Sequence, residues 1–336
     1  MARLRMAQYG TKHGHAAGKL QAMLGNADVE VAGLFEPDAG RRDEVRGTAP
    51  YDHVTFFETE EEILQDATIA AVASEGKNCE SLEQTARLVE AGKHVWDDKP
   101  AGDDWERWQQ VVEQAEERQL LIQLGYMLRY QEGFRNLSSW VQSGLLGDLF
   151  SIRAHMSTAA FVNPDTAASR RAISDHHRGG IFFDLSGHML DQVVWLMGRP
   201  ERVTSFLRND TGIVPEFADN CLSVLEYGKG MACVDIAAME PGPSARRFEV
   251  YGTRGSAIID PLEPVRQVRL CLVEAGEGFV AGEQQVPVKV QSRQDLYEEE
   301  LVAFVATVRG ERPRDRSAAH ELLVQETVLR ANGIID

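Results

Sequence analysis

One histidine lies between two carboxylates in the stretch GGIFFDLSGHMLDQVVWLMG. Asp184, His188 and Asp191 are spaced i, i+4 and i+7, so on an α-helix all three side chains lie on one face. A neighbouring carboxylate adjusts an imidazole pKa that is already near neutrality, which suits general acid–base catalysis. A buried histidine with a satisfied hydrogen bond explains the same spacing equally well.

A second candidate group, Lys99, follows the strand-like run KHVWD. In a parallel α/β sheet, ligands bind beyond the carboxyl ends of the strands, so this lysine is expected beside a bound cofactor. Taken alone, the segment favours a simpler interpretation, in which Lys99 is an exposed turn residue before Pro100.

The run that ends at Gly10 leads into GTKHGHAAGKL, where a strand-to-helix turn could present backbone N–H groups to a pyrophosphate. The literal GxGxxG fingerprint fails, because Lys12 and His15 occupy its second and third glycine positions and Gly14 comes one place early. A nucleoside-triphosphate P-loop fits less well, since Leu20 stands where Ser or Thr is required.

An acidic residue supports the dinucleotide interpretation of this loop. Glu36 follows the second strand-like run, about twenty residues beyond Gly14. A carboxylate there accepts hydrogen bonds from ribose hydroxyls and repels a 2′-phosphate, which favours NAD over NADP. Arg41 and Arg42 lie close in sequence and keep NADP open as an alternative.

No metal site is expected from the sequence. His13 and His15 have no third ligand close in sequence. A second possible set, the adjacent pair His176 and His177 with Asp184 and His188, is disfavoured because neighbouring histidines rarely point at one ion.

Strand-like and helical patterns alternate over the first 125 residues. This alternation predicts an α/β fold with a doubly wound parallel (Rossmann) sheet, forming a dinucleotide-binding domain over residues 1–124. The six strand-like runs are Leu4–Tyr9, Val29–Phe35, His53–Phe57, Thr68–Ser74, Lys93–Asp97 and Leu120–Gly125.

The pattern changes after Gly125. One helix and a long strand are followed by strand-like runs with glycine-containing turns, which predict a mainly antiparallel open sheet. Residues 125–336 are therefore expected to form an α+β domain for substrate binding and oligomerisation. Its closing helices, near residues 295–309 and 317–331, could pack back on the first domain.

Composition excludes several classes of protein. The net charge of −17 over 336 residues disfavours nucleic-acid and anionic-membrane partners, and no basic patch offsets it. The four cysteines are scattered without a CxxC pair, as in a reduced cytoplasmic protein. No signal-like or membrane-spanning segment stands out, so a cytoplasmic location is expected.

Several of these segments together resemble the Gfo/Idh/MocA oxidoreductases, which include glucose–fructose oxidoreductase and inositol dehydrogenases. AGKHVWDDKPAG is similar to the family's AGKHVxxEKP, with Asp98 in place of the usual Glu. GYMLRYQEGFRNL is similar to its GYxxRF stretch, and GGIFFDLSGHMLDQVVWLMG to its GGGxxxDxGxHxxD. The resemblance extends over almost the whole chain.

The resemblance implies NAD(P)-dependent hydride transfer to or from a sugar, polyol or related hydroxy compound. It implies Lys99, Asp184 and His188 as the catalytic residues. The predicted cofactor-binding residues are Gly10, Thr11, Lys12, His13, Gly14, His15, Glu36, Ser74, Glu75 and Lys99. The predicted substrate contacts are Tyr126, Arg129, His155, His176, His177 and Arg178.

Two other functions remain open at this point. One is an NAD-dependent glycosidase or lyase on the same scaffold, and the other is a cofactor-binding sensor without turnover. The family commonly forms dimers or tetramers, so a homodimer or homotetramer through the antiparallel sheet is expected.

Overall fold

The computed structural model describes residues 2–167, 179–243 and 245–336. The chain divides into two compact units. The first unit comprises Met1–Tyr126 and Arg293–Leu322, and the second comprises Met127–Ser292 and Leu323–Asp336. Each unit is built on its own β-sheet.

The first unit contains a five-stranded parallel sheet with the strand order β2-β1-β3-β4-β5. Its strands are β1 (Leu4–Tyr9), β2 (Val29–Phe35), β3 (Ala71–Ser74), β4 (His94–Asp97) and β5 (Ile122–Leu124). The helices of this unit are α1 (Ala16–Gly25), α2 (Ala39–Val45), α3 (Glu61–Leu64), α4 (Ser81–Glu90), α5 (Trp105–Glu117) and α8 (Arg293–Val308).

The second unit contains an eight-stranded sheet with the order β13-β12-β11-β10-β6-β9-β8-β7. Every neighbouring pair is antiparallel except β6 and β9, which run parallel. The strands are β6 (Leu149–Ser157), β7 (Arg202–Arg208), β8 (Asn220–Glu226), β9 (Met231–Ala237), β10 (Arg246–Gly252), β11 (Gly255–Ile259), β12 (Gln267–Leu272) and β13 (Gly282–Pro287). The remaining helices are α6 (Glu132–Gln142), α7 (Gly180–Met197) and α9 (Ala318–Ala331).

The predicted fold class is confirmed, but one predicted strand is wrong. The run His53–Phe57 does not form a sixth strand, and its first residue belongs to a short 3₁₀ helix over Tyr51–His53. Only an isolated parallel bridge between Phe56 and Leu34 remains, with Leu34 and the chain at residues 55–57 exchanging two backbone hydrogen bonds. The pairing with β2 does not extend along the run beyond this contact.

Burial explains why the central strands are mostly apolar. β3 is buried along its whole length, and the last four residues of β1 are buried as well. Parallel strands with helices on both faces leave no side open to water, so both alternating sets of side chains must be apolar or paired. Polar side chains that bind ligands are therefore confined to the strand ends.

No helix in the described ranges is long and apolar enough to cross a lipid bilayer.

Gly10, at the end of β1, is a position that only glycine fits without strain. Its φ is +87°, and a Cβ atom there would lie 2.8 Å from the carbonyl oxygen of Glu75. Gly47 has a similar φ of +83° but open space around the Cβ position. Comparing Gly10 with Gly47 therefore separates the free-energy cost of a left-handed backbone from the cost of the close contact with Glu75.

We expect Gly47→Ala to lower the free energy of unfolding by about 1–2 kcal/mol, the cost of a left-handed residue. Gly10→Ala should cost about 1–3 kcal/mol more, because the strand ends must also move apart. Urea unfolding of both variants measures the difference. Equal losses would show that the contact with Glu75 relaxes freely.

Candidate active site

Three neighbouring strand ends bring the predicted cofactor residues of the first unit together. Tyr9 at the end of β1 pairs with Ser74 at the end of β3, and Ser74 pairs with Asp97 at the end of β4. Because these strands are parallel, the loops that follow them all leave the same edge of the sheet. Residues far apart in sequence therefore meet there.

The loop between β1 and α1 keeps unused backbone donors. The N–H of Gly10 donates to the carbonyl of Phe35 at 2.7 Å, and that of His13 to the carbonyl of Glu75 at 3.1 Å. Within the described ranges, the N–H groups of Lys12 and Gly14 have no protein acceptor. These donors, next to the N-terminus of α1, are the arrangement that binds phosphate groups.

Glu36, at the end of β2, is buried and already accepts two hydrogen bonds. The Thr11 hydroxyl donates to its Oε2 at 2.7 Å, and the Asp38 N–H donates to its Oε1 at 3.0 Å. Carboxylates form several hydrogen bonds per oxygen, so Glu36 retains acceptor capacity for a ribose hydroxyl.

Lys12 pairs with Asp38, at 2.9 Å from Nζ to Oδ2. The lysine hydrogen bond lowers the pKa of Asp38 to about 2. Lys12 thus lies on the β2 side of the loop, beside Glu36 and Asp38.

Arg41 and Arg42, the two arginines that kept NADP as an alternative cofactor, have different surroundings. Arg41 donates from Nε to the Thr11 hydroxyl at 3.2 Å, which places its guanidinium beside the Glu36 carboxylate. Arg42 pairs with Glu58 at 3.3 Å. Arg41 is therefore the cation that could meet a 2′-phosphate.

The rings of His13 and His15 turn toward Asp98. Their Nδ1 atoms lie 3.2 Å and 2.9 Å from Asp98 Oδ2, and all three side chains are buried. Burial lowers the pKa of His15 to about 3 against the opposing charge of Asp98, so this imidazole is neutral at pH 7. Although burial acts in the opposite direction, His13, His15 and Lys19 together hold the pKa of Asp98 well below its usual value.

The side chain of Lys19, in α1, is completely buried and lies against the carboxylates of Glu75 and Asp98. Its Nζ donates to the carbonyl of Asp97 at 3.0 Å and lies 2.8 Å from Glu75 Oε1 and 3.2 Å from Asp98 Oδ2. The ammonium also lies 4.6 Å from the ring centre of Trp96. Burial acts to lower its pKa, but Asp98, Glu75 and Glu300 overcome this effect and raise it.

Lys99 and Ser74 are both buried at this strand edge. The Lys99 N–H donates to Asp98 Oδ1 at 2.8 Å, so the carboxylate that contacts the two histidines also orients the lysine backbone. The Ser74 hydroxyl lies 3.4 Å from that of Thr85, which donates to Asp97 Oδ2 at 2.8 Å. Ser74 therefore faces the interior in the structure.

In the second unit, α7 carries the acid–base pattern, and the predicted helix is observed. Asp184 and His188 are both nearly inaccessible to solvent, at 1% and 2% exposure. The helix packs on β6, β8 and β9, which buries its polar as well as its apolar residues. An imidazole and a carboxylate one helical turn apart in a dry environment are suited to proton transfer.

The third acid of the pattern, Asp191, forms a buried ion pair with Arg129. The Arg129 Nε donates to both carboxylate oxygens, at 3.0 Å and 2.8 Å, and the guanidinium stacks 4.2 Å from the Trp195 ring centre. This pair links α7 to the short 3₁₀ helix Met127–Tyr130. Arg129, a predicted substrate contact, thus has a structural partner.

The other predicted substrate residues are dispersed. Tyr126 is buried in the first unit, with the Arg316 guanidinium 5.3 Å from its ring centre. His155 pairs with Asp235 at 3.0 Å, and strand alternation places both on the sheet face opposite the one that α7 covers. His176, His177 and Arg178 lie outside the described residues.

The sequence did not reveal that several ionisable side chains of the first unit are buried. Lys19 and Glu300 are fully buried, and burial raises the pKa of Asp97 and of Glu300 to about 7 in each case. The available signal was weak: Lys19 falls between Ala16 and Leu20 on a helix whose other inward residues are small or apolar.

Comparison with known proteins agrees with this architecture. Residues 6–126 match a family model described as "Oxidoreductase family, NAD-binding Rossmann fold", and residues 139–331 match "Oxidoreductase family, C-terminal alpha/beta domain". Both models belong to the Gfo/Idh/MocA set.

Similar proteins include two inositol dehydrogenases and one solved structure. Myo-inositol 2-dehydrogenase of Thermotoga maritima is 24% identical, over 75% of this chain and 73% of its own. The scyllo-inositol 2-dehydrogenase (NADP(+)) IolW of Bacillus subtilis is 25% identical, over 59% and 54%. GenD2 from gentamicin A biosynthesis, solved in complex with NAD, shares the fold at a TM-score of 0.76 and 19% identity, over 98% and 93%.

We expect Lys19→Met to lower the free energy of unfolding at pH 7 by about 3–5 kcal/mol, because it leaves buried carboxylates without their cation. Lys229→Met is the matched control. Its ammonium is 4.0 Å from Asp148 and both side chains are largely exposed, at 86% and 79%, so the loss should stay below about 0.5 kcal/mol. Chemical denaturation measures both.

The loss caused by Lys19→Met should shrink as the pH falls from 8 to 5. Without the ammonium, the folded-state pKa of Glu75, which burial already raises, rises further, and the pKa of Asp98 rises because one of the charges that lower it is lost. A carboxyl group with a raised folded-state pKa favours folding below the unfolded pKa and loses that contribution as the pH rises through the folded pKa. A loss that is constant over this range would contradict the interpretation.

Proposed function

This chain belongs to the Gfo/Idh/MocA oxidoreductase family, and on that premise we propose that it transfers a hydride between a nicotinamide cofactor and a carbinol carbon of a sugar or polyol. The observation that carries the proposal is the buried pair Asp184 and His188, one turn apart on α7. A binding protein without turnover has no need of an acid–base pair in that position.

The residues of the first unit fit a dinucleotide. Gly10 allows close approach of the chain, since a Cβ there would meet the backbone of Glu75 and Gly76. The N–H groups of Lys12 and Gly14 would donate to the pyrophosphate, and Glu36 would accept from the adenosine ribose. When bound, the nicotinamide supplies the hydride-transfer chemistry.

In this proposal the protein side chains transfer the hydroxyl proton and stabilise the charge on the substrate. We assign His188 as the base that takes the hydroxyl proton while the hydride leaves the same carbinol group. Asp184 holds the imidazole or a neighbouring hydroxyl, and Lys99 stabilises negative charge on the reacting oxygen. General acid–base assistance of this kind contributes about 10²–10⁴-fold to rate.

NAD is the proposed cofactor. Glu36 is buried at the ribose position, and its negative charge opposes a 2′-phosphate. Lys12 and Arg41 lie nearby, but Lys12 is paired with Asp38 and Arg41 with Glu44 at 2.8 Å. These pairs reduce the positive charge that a 2′-phosphate requires.

Cyclic polyols are the first substrate class to test, since two similar proteins bear inositol dehydrogenase names. Assembly through the eight-stranded sheet also stays a prediction. In support, Phe206 and Leu222 pair across β7 and β8 and are 59% and 38% exposed.

We expect purified protein to reduce NAD with at least one member of a panel of inositols and aldoses. His188→Asn should lower kcat by about 10²–10⁴-fold while NAD affinity stays unchanged, because the side chain acts on the substrate proton. NADH formation at about 340 nm and thermal-shift titration with NAD measure the two effects.

His53→Asn is the matched control, since that ring is 73% exposed and remote from α7 in sequence. Full activity of His188→Asn would remove the proposed base. Turnover of glycosides without net NADH would instead indicate the glycosidase or lyase reaction.

Glu36→Gln should weaken NAD binding by about 10-fold or more, because a charged acceptor for the ribose is lost. The affinity for NADP should fall less or rise, so the NAD/NADP ratio drops. Glu58→Gln, at a carboxylate 68% exposed, is the control. Calorimetric titration with both nucleotides measures the ratio, and an unchanged ratio would contradict the assignment of Glu36.

A further inference from the structure

Two imidazoles and a carboxylate converge in the first unit at a place where the sequence offered no third ligand. His13 and His15 lie in the loop after β1, and Asp98 follows β4, 83 positions after His15. In the described part of the chain, this is the one set of three such residues whose ligand atoms all lie within 4.8 Å of one another.

The separations suit one small ion. A tetrahedral ion bound at about 2.0–2.2 Å holds its ligand atoms about 3.3–3.6 Å apart. The Nδ1 atoms of His13 and His15 lie 3.2 Å and 2.9 Å from Asp98 Oδ2, so these two separations need an outward shift of a few tenths of an ångström, and the ligand atoms of all three residues lie within 4.8 Å of one another. We propose that His13, His15 and Asp98 form a binding site for a divalent transition metal ion, with Zn²⁺ as the preferred ion.

Glu75 lies beside these three residues, although its carboxylate oxygens are not among the ligand atoms that all lie within 4.8 Å of one another. Its Oε2 lies 3.7 Å from His13 Nδ1, while its Oε1 is held by Lys19 at 2.8 Å. Two histidines and one carboxylate are a ligand set that Zn²⁺ accepts, with water in the fourth tetrahedral position. Lys19 would give up its contact with Asp98 Oδ2 to the ion and keep those with Glu75 and the Asp97 carbonyl.

The charge balance around the site favours a cation. Four carboxylates are buried in this part of the unit, those of Glu75, Asp97, Asp98 and Glu300. Lys19 contacts two of them, Glu75 at 2.8 Å and Asp98 at 3.2 Å, and Lys99 is a second buried cation at this strand edge. Arg316 is paired with Glu321 at 2.7 Å. A divalent ion adds the positive charge that burial of several acids requires.

The preference for a transition metal over Mg²⁺ follows from the donor set. Imidazole nitrogen suits Zn²⁺, Cu²⁺ and Ni²⁺, whereas Mg²⁺ binds oxygen ligands and keeps several waters. A buried site with two imidazoles supplies the nitrogen ligands that Zn²⁺ prefers and leaves little room for the waters that Mg²⁺ keeps. The bound ion would fasten the loop after β1 to the segment that contains Lys99.

The test uses the tag-free full-length chain, stripped with a chelator and titrated with Zn²⁺ by calorimetry, with Mg²⁺ as the comparison ion. We expect one Zn²⁺ per chain, a rise in the thermal midpoint and at least about 100-fold weaker binding of Mg²⁺. Bound Co²⁺ should show the visible absorption of a tetrahedral site with nitrogen and oxygen ligands. This measurement needs no variant.

His13→Asn and Asp98→Asn should each weaken Zn²⁺ binding by about 10-fold or more and reduce the thermal shift. His53→Asn, at an exposed histidine, should change neither. Circular dichroism checks that each variant is folded. No Zn²⁺ binding, or equal affinity in all variants, would overturn the site, as would octahedral Co²⁺ spectra. None of these readouts depends on NAD binding or on dehydrogenase activity.

Discussion

The ammonium of Lys19 is the interaction on which the candidate site of the first unit depends. It is fully buried and contacts the ends of two strands, through Glu75 after β3 and through Asp97 and Asp98 at β4. A buried carboxylate is tolerated only when it is paired, and a buried ammonium likewise. Helix α1 and two strand ends are therefore held in one arrangement, and the loop that joins α1 to β1 is held with them.

In the loop that is held in this way, the side chains and the backbone have different roles. The imidazoles of His13 and His15 are directed to Asp98, while the N–H groups of Lys12 and Gly14 stay available as donors. A loop that lacks the usual glycines can therefore still present backbone donors to a phosphate. Gly10 is the position at which this loop depends on glycine, because its backbone is left-handed and lies against the segment after β3.

The second unit also buries polar residues, in this case on helix α7. All three polar residues of the α7 pattern are buried, and the ion pair with Arg129 accounts for Asp191. The spacing in sequence treats the three residues as equivalent, but this pair separates a structural acid from Asp184 and His188. The distinction matters for function, since a carboxylate committed to a guanidinium is a poor proton acceptor.

The sequence alone determined the type and position of most elements, because apolar periodicity and glycine turns are local properties. β1 and β2 begin and end at the predicted residues, and α7 was recognisable from its spacing. The strand predicted over His53–Phe57 was wrong because strand character in the sequence does not show whether a neighbour pairs along the whole run, and here only Phe56 bridges to Leu34. Only the tertiary structure decided which charges meet, since parallel strand pairing brings loops that are distant in sequence to one sheet edge. For that reason His15 finds Asp98 83 positions away, and Lys19, an ordinary helix residue in the sequence, becomes the buried cation of the site.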